Sequence, residues 1–299
     1  MTADVDGILL LDKPLGMSSA AAVACAKRLF DARKAGHTGA LDPLAEGLLP
    51  ICFGEATKFG AHLLAADKSY RVTARLGERT ASADRESPVI EKRELPDFSS
   101  QQIAAALAEF PRDYLQVPPM HSAIKQGGKP LYAYARAGIT RERAARRILI
   151  HELIMTDWRA PDLHFGVRCS KGAYIRALAE DIAERLGTIA HLTGLRRLAV
   201  APFASEAQST FAALEALSID ERRRLLLPVD AALGAWRRLD LQADGVAALR
   251  RGQSVEVAVE MPGAVRIYAA GFGFLGLGEV RSAGRLVPVR LISASAIRA

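Results

Sequence analysis

The chain has 299 residues, of which 50% are hydrophobic and 24% charged. That balance excludes wholesale disorder, and the length accommodates one large domain or a large one with a small one. Forty Lys and Arg against 33 Asp and Glu leave a net charge of +7, and Arg outnumbers Lys 31 to 9. A basic, Arg-rich chain brings nucleic acid into consideration as a partner, although coding bias produces the same excess.

In chain order, Gly7 to Leu11 is an apolar run that reads as a buried strand, followed by a turn at Asp12-Lys-Pro-Leu-Gly16. Ser18 or Ser19 can cap a helix carrying Ala22, Ala26, Leu29 and Phe30, with Gly36 as its stop. Gly36 to Ala45 has no clean period and is expected to be a loop. Ala56, Phe59 and Leu63 mark a further helix. Tyr70, Val72, Ala74 and Leu76 alternate with Arg71, Thr73 and Arg75, which predicts a half-buried strand. Gly77 to Pro88 is polar and loop-like. Ser99 or Ser100 caps a helix with Ile103, Leu107 and Phe110 on one stripe. Leu163 to Cys169 alternates as a strand, broken at Ser170-Lys-Gly172. A helix with Ile175, Leu178, Ile182 and Leu186 then runs to Gly187. Ser205 to Trp236 reads as helical and basic (Arg222, Arg223, Arg224). Beyond it lie short β-like stretches such as Ser254 to Val259 and the glycine-rich Gly271 to Gly278. Strands and helices mix without a βαβ repeat, so the expected class is α+β with a largely antiparallel sheet. The expected division is a large domain over 1–233 and a small β domain over 234–299. The small domain carries nine basic and five acidic groups.

Three cysteines without C-x-x-C spacing and six scattered histidines support neither a disulfide framework nor a metal site. No apolar run approaches the roughly 18 residues of a membrane helix, and Met1 to Gly7 lacks a signal-peptide pattern. A cytoplasmic setting is expected.

Three segments could carry chemistry. The Gly36–Ala45 loop holds His37, Thr38 and Asp42, but an Asp before a proline also simply starts a turn. It lacks the ending of a phosphate-binding P-loop. Ser170 to Arg176 sits where a strand gives way to a helix; by spacing alone Arg176 pairs with Glu180 on an exposed face. By the same local logic Tyr70 is core and His37 a solvated loop residue. Residues 125–147 carry seven basic groups (Lys125, Lys129, Arg136, Arg141, Arg143, Arg146, Arg147) against the single acid Glu142, with Tyr132 and Tyr134 among them. Charge with interleaved aromatics marks nucleic-acid contact, and a solvated basic helix would look the same.

Taken together, Gly7-Ile-Leu-Leu-Leu-Asp-Lys-Pro-Leu-Gly16, Gly36-His-Thr-Gly-Ala-Leu-Asp-Pro-Leu-Ala-Glu-Gly47, Gly54-Glu-Ala-Thr-Lys58, Lys68-Ser-Tyr-Arg-Val72, Val117-Pro-Pro-Met-His-Ser-Ala-Ile-Lys125 and Cys169-Ser-Lys-Gly-Ala-Tyr-Ile-Arg176 resemble, in order and spacing, the TruB family of tRNA pseudouridine synthases. The resemblance runs from about Gly7 to Val200, and the small basic β domain resembles the PUA domain of bacterial members.

The resemblance implies a pseudouridine synthase fold and isomerisation of uridine-55 in the T-loop of tRNA, without cofactor or metal. Asp42 matches the catalytic aspartate, Arg176 its basic partner and Tyr70 the tyrosine set against the target base. Tyr174 matches a second tyrosine, Leu195 an apolar wall, and His37 the histidine near the space the nucleotide vacates. Lys13 lies in the N-terminal Lys-Pro motif and supports the cleft. Residues 125–147, with Lys125, Lys129, Arg136 and Arg141, match a mobile insertion that closes over the T-arm. A monomer is expected. A base inside a folded loop has to be flipped out to be reached, which accounts for apolar walls and basic flanks. His121 departs from the pattern, since many relatives carry an aromatic there; the departure touches local packing. Two other classes remain in view. A glycoside or nucleoside hydrolase would usually use two carboxylates and release free base, and Asp42 has no obvious second catalytic acid in these motifs. A non-catalytic tRNA-binding or tRNA-folding protein would need the cleft and not Asp42.

Overall fold

The computed structural model describes residues 4–258 and 261–293. Strand β1 (Gly7–Lys13) is buried at every position but Asp12, as a strand covered on both faces requires. Helix α1 (Ser19–Leu29) is capped by Ser18, whose side chain accepts from the amide of Ala21. It ends at Phe30, before Gly36. The chain re-enters extended structure as β2 (Ala35–His37), so the segment read as a loop from Gly36 starts inside a strand. After β3 (Ala45–Phe53), the helix marked by Ala56, Phe59 and Leu63 is divided. A 3₁₀ turn covers Gly54–Lys58 and α2 covers Gly60–Leu64. Strand β4 (Lys68–Leu76) buries Tyr70, Val72, Ala74 and Leu76, as their alternation predicts. The polar stretch after it contains β5 (Glu78–Thr80), paired with β6 (Val89–Lys92). Helix α3 (Ser100–Ala108) starts with a reciprocal Ser99–Gln102 capping box.

Strand β7 (Asp113–Gln116) leads into the basic segment. That segment is no continuous helix: it forms a small hairpin, β8 (Lys125–Gln126) with β9 (Lys129–Pro130), and the short helix α4 (Leu131–Arg136). Its last two arginines open the long strand β10 (Arg146–Arg159). Next come β11 (Asp162–Cys169), α5 (Ile175–Arg185), β12 (Ala190–Val200) and β13 (Phe203–Ala204). The stretch read as helical from Ser205 holds only α6 (Phe211–Glu215), α7 (Ile219–Arg224) and two 3₁₀ turns. The helical pieces are interrupted where the chain covers the free edge of β1: Ser209 and Leu227 bridge to Leu11 and Ile8.

The large sheet has nine strands, with a main path β1-β3-β12-β4-β11-β10-β7; β2 joins β3 and β13 joins β12. All its pairs are antiparallel except β12 with β3, where Leu195, Arg196 and Arg197 face Ala45, Glu46 and Gly47. Gly47 has φ +98°, and a Cβ there would strike the Arg197 backbone carbonyl, so the close approach of these two strands requires glycine. The second sheet is formed by β14 (Arg237–Leu241), β15 (Val255–Glu256), β16 (Gly263–Ala269), β17 (Gly273–Arg281) and β18 (Arg285–Leu291), with α8 (Ala243–Arg250) alongside. It is mainly antiparallel in the order β14-β16-β17-β18-β15 and has its own core. Of the alternating Ser254–Val259 run only Val255–Glu256 is strand; Val259 lies outside the described residues. The fold is α+β. The two sheets meet where Phe59 packs on Phe274 and His62 on Trp236.

Candidate active site

The parallel β3/β12 contact is where the chain folds a site. Residues 38–44, between β2 and β3, are pinned on every side. The Ser19 hydroxyl accepts from the Leu41 amide at 2.8 Å and donates to the Leu41 carbonyl at 3.0 Å. The Gly16 amide donates to the Pro43 carbonyl at 2.8 Å. Arg197, from β12, donates to the carbonyls of Gly39 at 3.1 Å and Leu48 at 2.7 Å. These bonds present Asp42 at the mouth of a cavity of about 270 Å³. Tyr70, Tyr174, Arg176 and Leu195 line the same cavity. Its volume is close to the lower end of small-ligand sites, roughly 300 Å³.

Arg176 is at the start of α5 with its side chain 4% exposed, so the exposed pairing with Glu180 that spacing suggests does not form. The guanidinium instead meets Asp42 at 2.9 Å and donates to the carbonyls of Ser82 at 2.8 Å and His121 at 2.7 Å. A second carboxylate, Asp84, lies 3.7 Å from it and is 3% exposed, against 42% for Asp42. Asp84 accepts from the Ser82 hydroxyl and the Glu86 amide. Two acids therefore flank one arginine, but only the outer one reaches the cavity. The arrangement suits one carboxylate aimed by a charge-assisted hydrogen bond, not two acids on opposite sides of a glycosidic bond.

Burial raises the pKa of both Tyr70 and Tyr174; for Tyr70 the Arg197 guanidinium pulls the other way. Lys13 is wholly buried beneath the site, with Nζ donating to the carbonyls of Met17 and Pro14. Burial, then repulsion from Arg197, lowers its pKa to about 8. Lys68 lines the cavity, caps the α2 carbonyls of Leu63 and Leu64, and is lowered to about 8 for the same two reasons. His37 is exposed on β2 and does not line the cavity. Lys125, Lys129, Arg136 and Arg141 are exposed outside it, with Arg136 over the Tyr132 ring and Arg141 over the Tyr134 ring. The unusual His121 touches the site through its backbone carbonyl, a contact any residue can make. Among the described residues no group of three or more His, Cys, Asp or Glu could hold a metal ion.

Local pattern does not reveal Asp84, Arg197, Ser19 or Lys68 as parts of the site. Lys68 stands inside the Lys68–Val72 motif, and the adjacent Arg196-Arg197 pair in an apolar stretch is the one available signal for the second. Nothing local marks Asp84 or the second role of Ser19.

The site is thus a substrate-sized cavity with an aimed carboxylate, a buried arginine and aromatic walls, set in this mixed sheet with an appended β unit. The same architecture occurs in the solved structure of a Cbf5–Nop10–Gar1 complex (TM-score 0.72, 24% identity, 96% of this chain and 84% of that one) and in an H/ACA RNP bound to a substrate RNA containing 2′-deoxyuridine (TM-score 0.70, 23% identity, 96% and 84%). Family models match in succession: "TruB family pseudouridylate synthase (N terminal domain)" over residues 27–175, "tRNA pseudouridylate synthase B C-terminal domain" over 176–234, and "Pseudouridine synthase II TruB, C-terminal" over 238–292. Proteins called tRNA pseudouridine synthase B are 48% identical in Sodalis glossinidius (97% of this chain, 96% of that protein) and 49% identical in Actinobacillus pleuropneumoniae (97% of each). The chain belongs to the TruB family of pseudouridine synthases. Its activity is tRNA pseudouridine synthesis, and its small sheet is a PUA-like domain.

Proposed function

We propose that the chain isomerises uridine-55 in the T-loop of tRNA, with Asp42 as the catalytic carboxylate. The observation that carries this reading is the half-exposed Asp42 carboxylate at the cavity mouth, 2.9 Å from a buried Arg176 that pairs with no other exposed anion among the described residues. The flipped base enters between Tyr70 and Leu195. Asp42 attacks the base or stabilises the sugar as the C1′–N1 bond breaks, and a C1′–C5 bond forms in its place. Arg176 holds and aims the carboxylate, and Tyr174 closes the wall. Lys13 supports the cleft from below, and His37 stands at its rim.

In this reading residues 1–233 form the catalytic domain and 234–299 the RNA-binding domain. The basic segment 125–147 holds the T-arm through Lys125, Lys129, Arg136 and Arg141. The enzyme works in the cytoplasm as a monomer and uses no cofactor. The test is incubation with an unmodified tRNA transcript, followed by mapping of pseudouridine at nucleotide resolution. Product at position 55 that disappears in Asp42→Asn, with tRNA affinity nearly intact, is the expected result. Appreciable single-turnover activity in Asp42→Asn sinks the role given to the carboxylate. Product elsewhere in the tRNA sinks the choice of uridine.

A further inference from the structure

Gln116, the last residue of β7, is 2% exposed and stands where the chain leaves the large sheet for the basic segment. Glutamine is mostly a surface residue, and a buried amide has to satisfy two N–H donors and a carbonyl oxygen. All three are engaged here. Its Oε1 accepts from the Tyr174 amide at 2.8 Å, and its Nε2 donates to the Tyr174 carbonyl at 3.1 Å and to the Tyr114 hydroxyl at 2.6 Å. The reverse amide orientation would set an NH2 group against the Tyr174 N–H, so the backbone it meets fixes which end donates. Tyr174 needs such a partner. Strand β11 ends at Cys169, and Tyr174 is the cap residue of α5 with no capping side chain of its own. Its N–H is thus left over by sheet and helix alike, and its carbonyl otherwise takes only the Leu178 amide. Among the described residues no other side chain bonds the backbone of residues 171–174. Residues 172–176 all line the cavity, whereas Gln116 does not.

We propose that Gln116 is a positioning residue for the reaction: its amide stands in for a neighbouring strand, holds the Tyr174 backbone by both of its polar groups, and so sets the tyrosine ring against the target uridine. The inference rests on the wall role given to Tyr174. Gln116 lies outside the cavity and acts through Tyr174 alone. Its own amide is braced from behind. Tyr114 accepts one of its protons, and the Tyr114 hydroxyl faces Asp181 on α5. Its backbone is fixed by the β7/β10 ladder, where Gln116 stands opposite Arg146. At the other end of the contact, Tyr174 precedes Arg176 by two residues, and Arg176 holds Asp42. A wall that drifts by about 1 Å costs on the order of 10²-fold in rate, because base and carboxylate lose their alignment. Affinity for tRNA comes mainly from phosphate contacts on other surfaces. Loss of the clamp therefore falls on the chemical step and spares binding.

The experiment measures saturating single-turnover pseudouridine formation, tRNA Kd and Tm in wild type, Gln116→Met, Tyr174→Ala and the double variant. Gln116→Met keeps the length of the side chain and removes both bonds to Tyr174. It should slow the saturating rate by about tenfold or more, with Kd within about threefold of wild type. In the Tyr174→Ala background the same change should cost less than about threefold further, because the ring it positions is gone. Losses that multiply in the double variant overturn the route through Tyr174. A wild-type rate in Gln116→Met beside a slow Tyr174→Ala overturns this inference alone. A wild-type rate in Tyr174→Ala overturns the wall role and this inference with it. Should Gln116→Met fail to fold, Gln116→Asn carries the same polar atoms on a stem one methylene too short to reach both backbone groups. Its rate should then fall comparably, and hydrogen exchange of the peptide over residues 170–176 should speed up while β4 and β12 stay protected. Exchange and rate both unchanged in Gln116→Asn overturn the clamp.

Discussion

Arg176→Lys preserves charge and tests whether the fork is what the site needs. In the native protein the guanidinium serves Asp42 at 2.9 Å, the Ser82 carbonyl at 2.8 Å and the His121 carbonyl at 2.7 Å at once, with Asp84 at 3.7 Å. A lysine ammonium is a single point on a differently shaped stem and cannot span these directions. If it follows the carboxylates, two buried carbonyls lose charged donors, each worth about 1.5–3 kcal/mol. Part of that is recovered by water or by a shifted partner, so the net destabilisation is about 3 kcal/mol, or roughly 5–10 °C in Tm. The pair with Asp42 contributes little to this figure, because Asp42 is substantially exposed and screened. Its weight falls on the chemical step, where a misaimed carboxylate costs about 10²–10³ in rate. The assay is single-turnover pseudouridine formation at saturating enzyme, beside thermal unfolding. A variant with wild-type rate and unchanged Tm would refute the reasoning.

Gly47→Ala should destabilise by about 2–4 kcal/mol, because φ +98° and a collision with the Arg197 carbonyl both oppose a side chain there; an unchanged urea midpoint contradicts this. Stability should rise with pH between about 8 and 9. Lys13 and Lys68, lowered to about 8, shed their protons in the folded state while the unfolded chain keeps them to about 10.5. Above about 9 the trend should flatten or reverse, since Cys52 and Cys169, raised to about 12 by burial, stay protonated in the folded state alone. Urea midpoints falling steadily from pH 7 to 9 contradict the first part. Replacing the exposed Arg250, Arg251, Arg285 and Arg290 by Gln should weaken tRNA binding and flatten its salt dependence, with the saturating rate unchanged; a collapsed rate in a folded variant speaks against the division.

Motif order makes the members of the site legible in the amino-acid sequence, while local spacing misjudges their surroundings. Asp42, Tyr70, Tyr174, Arg176 and Leu195 come together in one cavity. Yet spacing puts Arg176 on a solvated helix face, because burial depends on what covers an element. Here that cover is Ser82 and His121, 94 and 55 residues away. Arg197 gives little local signal beyond the adjacent Arg196-Arg197 pair for the same reason: its partners Leu48 and Gly39 lie 149 and 158 residues back. Alternation predicts β4 correctly because that strand carries its own pattern. The stretch after Ser205 has helical composition but is broken into short helical turns, because Ser209 and Leu227 are drawn out to bridge the β1 edge it covers.

The long-range partners also change what the basic segment can be expected to do. On charge alone its seven cations would act on affinity through phosphates, and the rate at saturation would be indifferent to them. The His121 carbonyl, a few residues before Lys125, is held by the same guanidinium that holds Asp42. Ser122 lines the cavity, and the Met120–Ser122 turn is tied to α4 through the Tyr132 amide. The segment is therefore rooted in the Asp42–Arg176 ion pair, whereas the β14–β18 sheet meets the rest of the chain at Phe59 and His62, away from the cavity. Two basic surfaces thus have unequal access to chemistry. Neutralising cations in either one weakens binding, but only shortening the 125–147 segment disturbs a ligand of Arg176 and so reaches the rate itself.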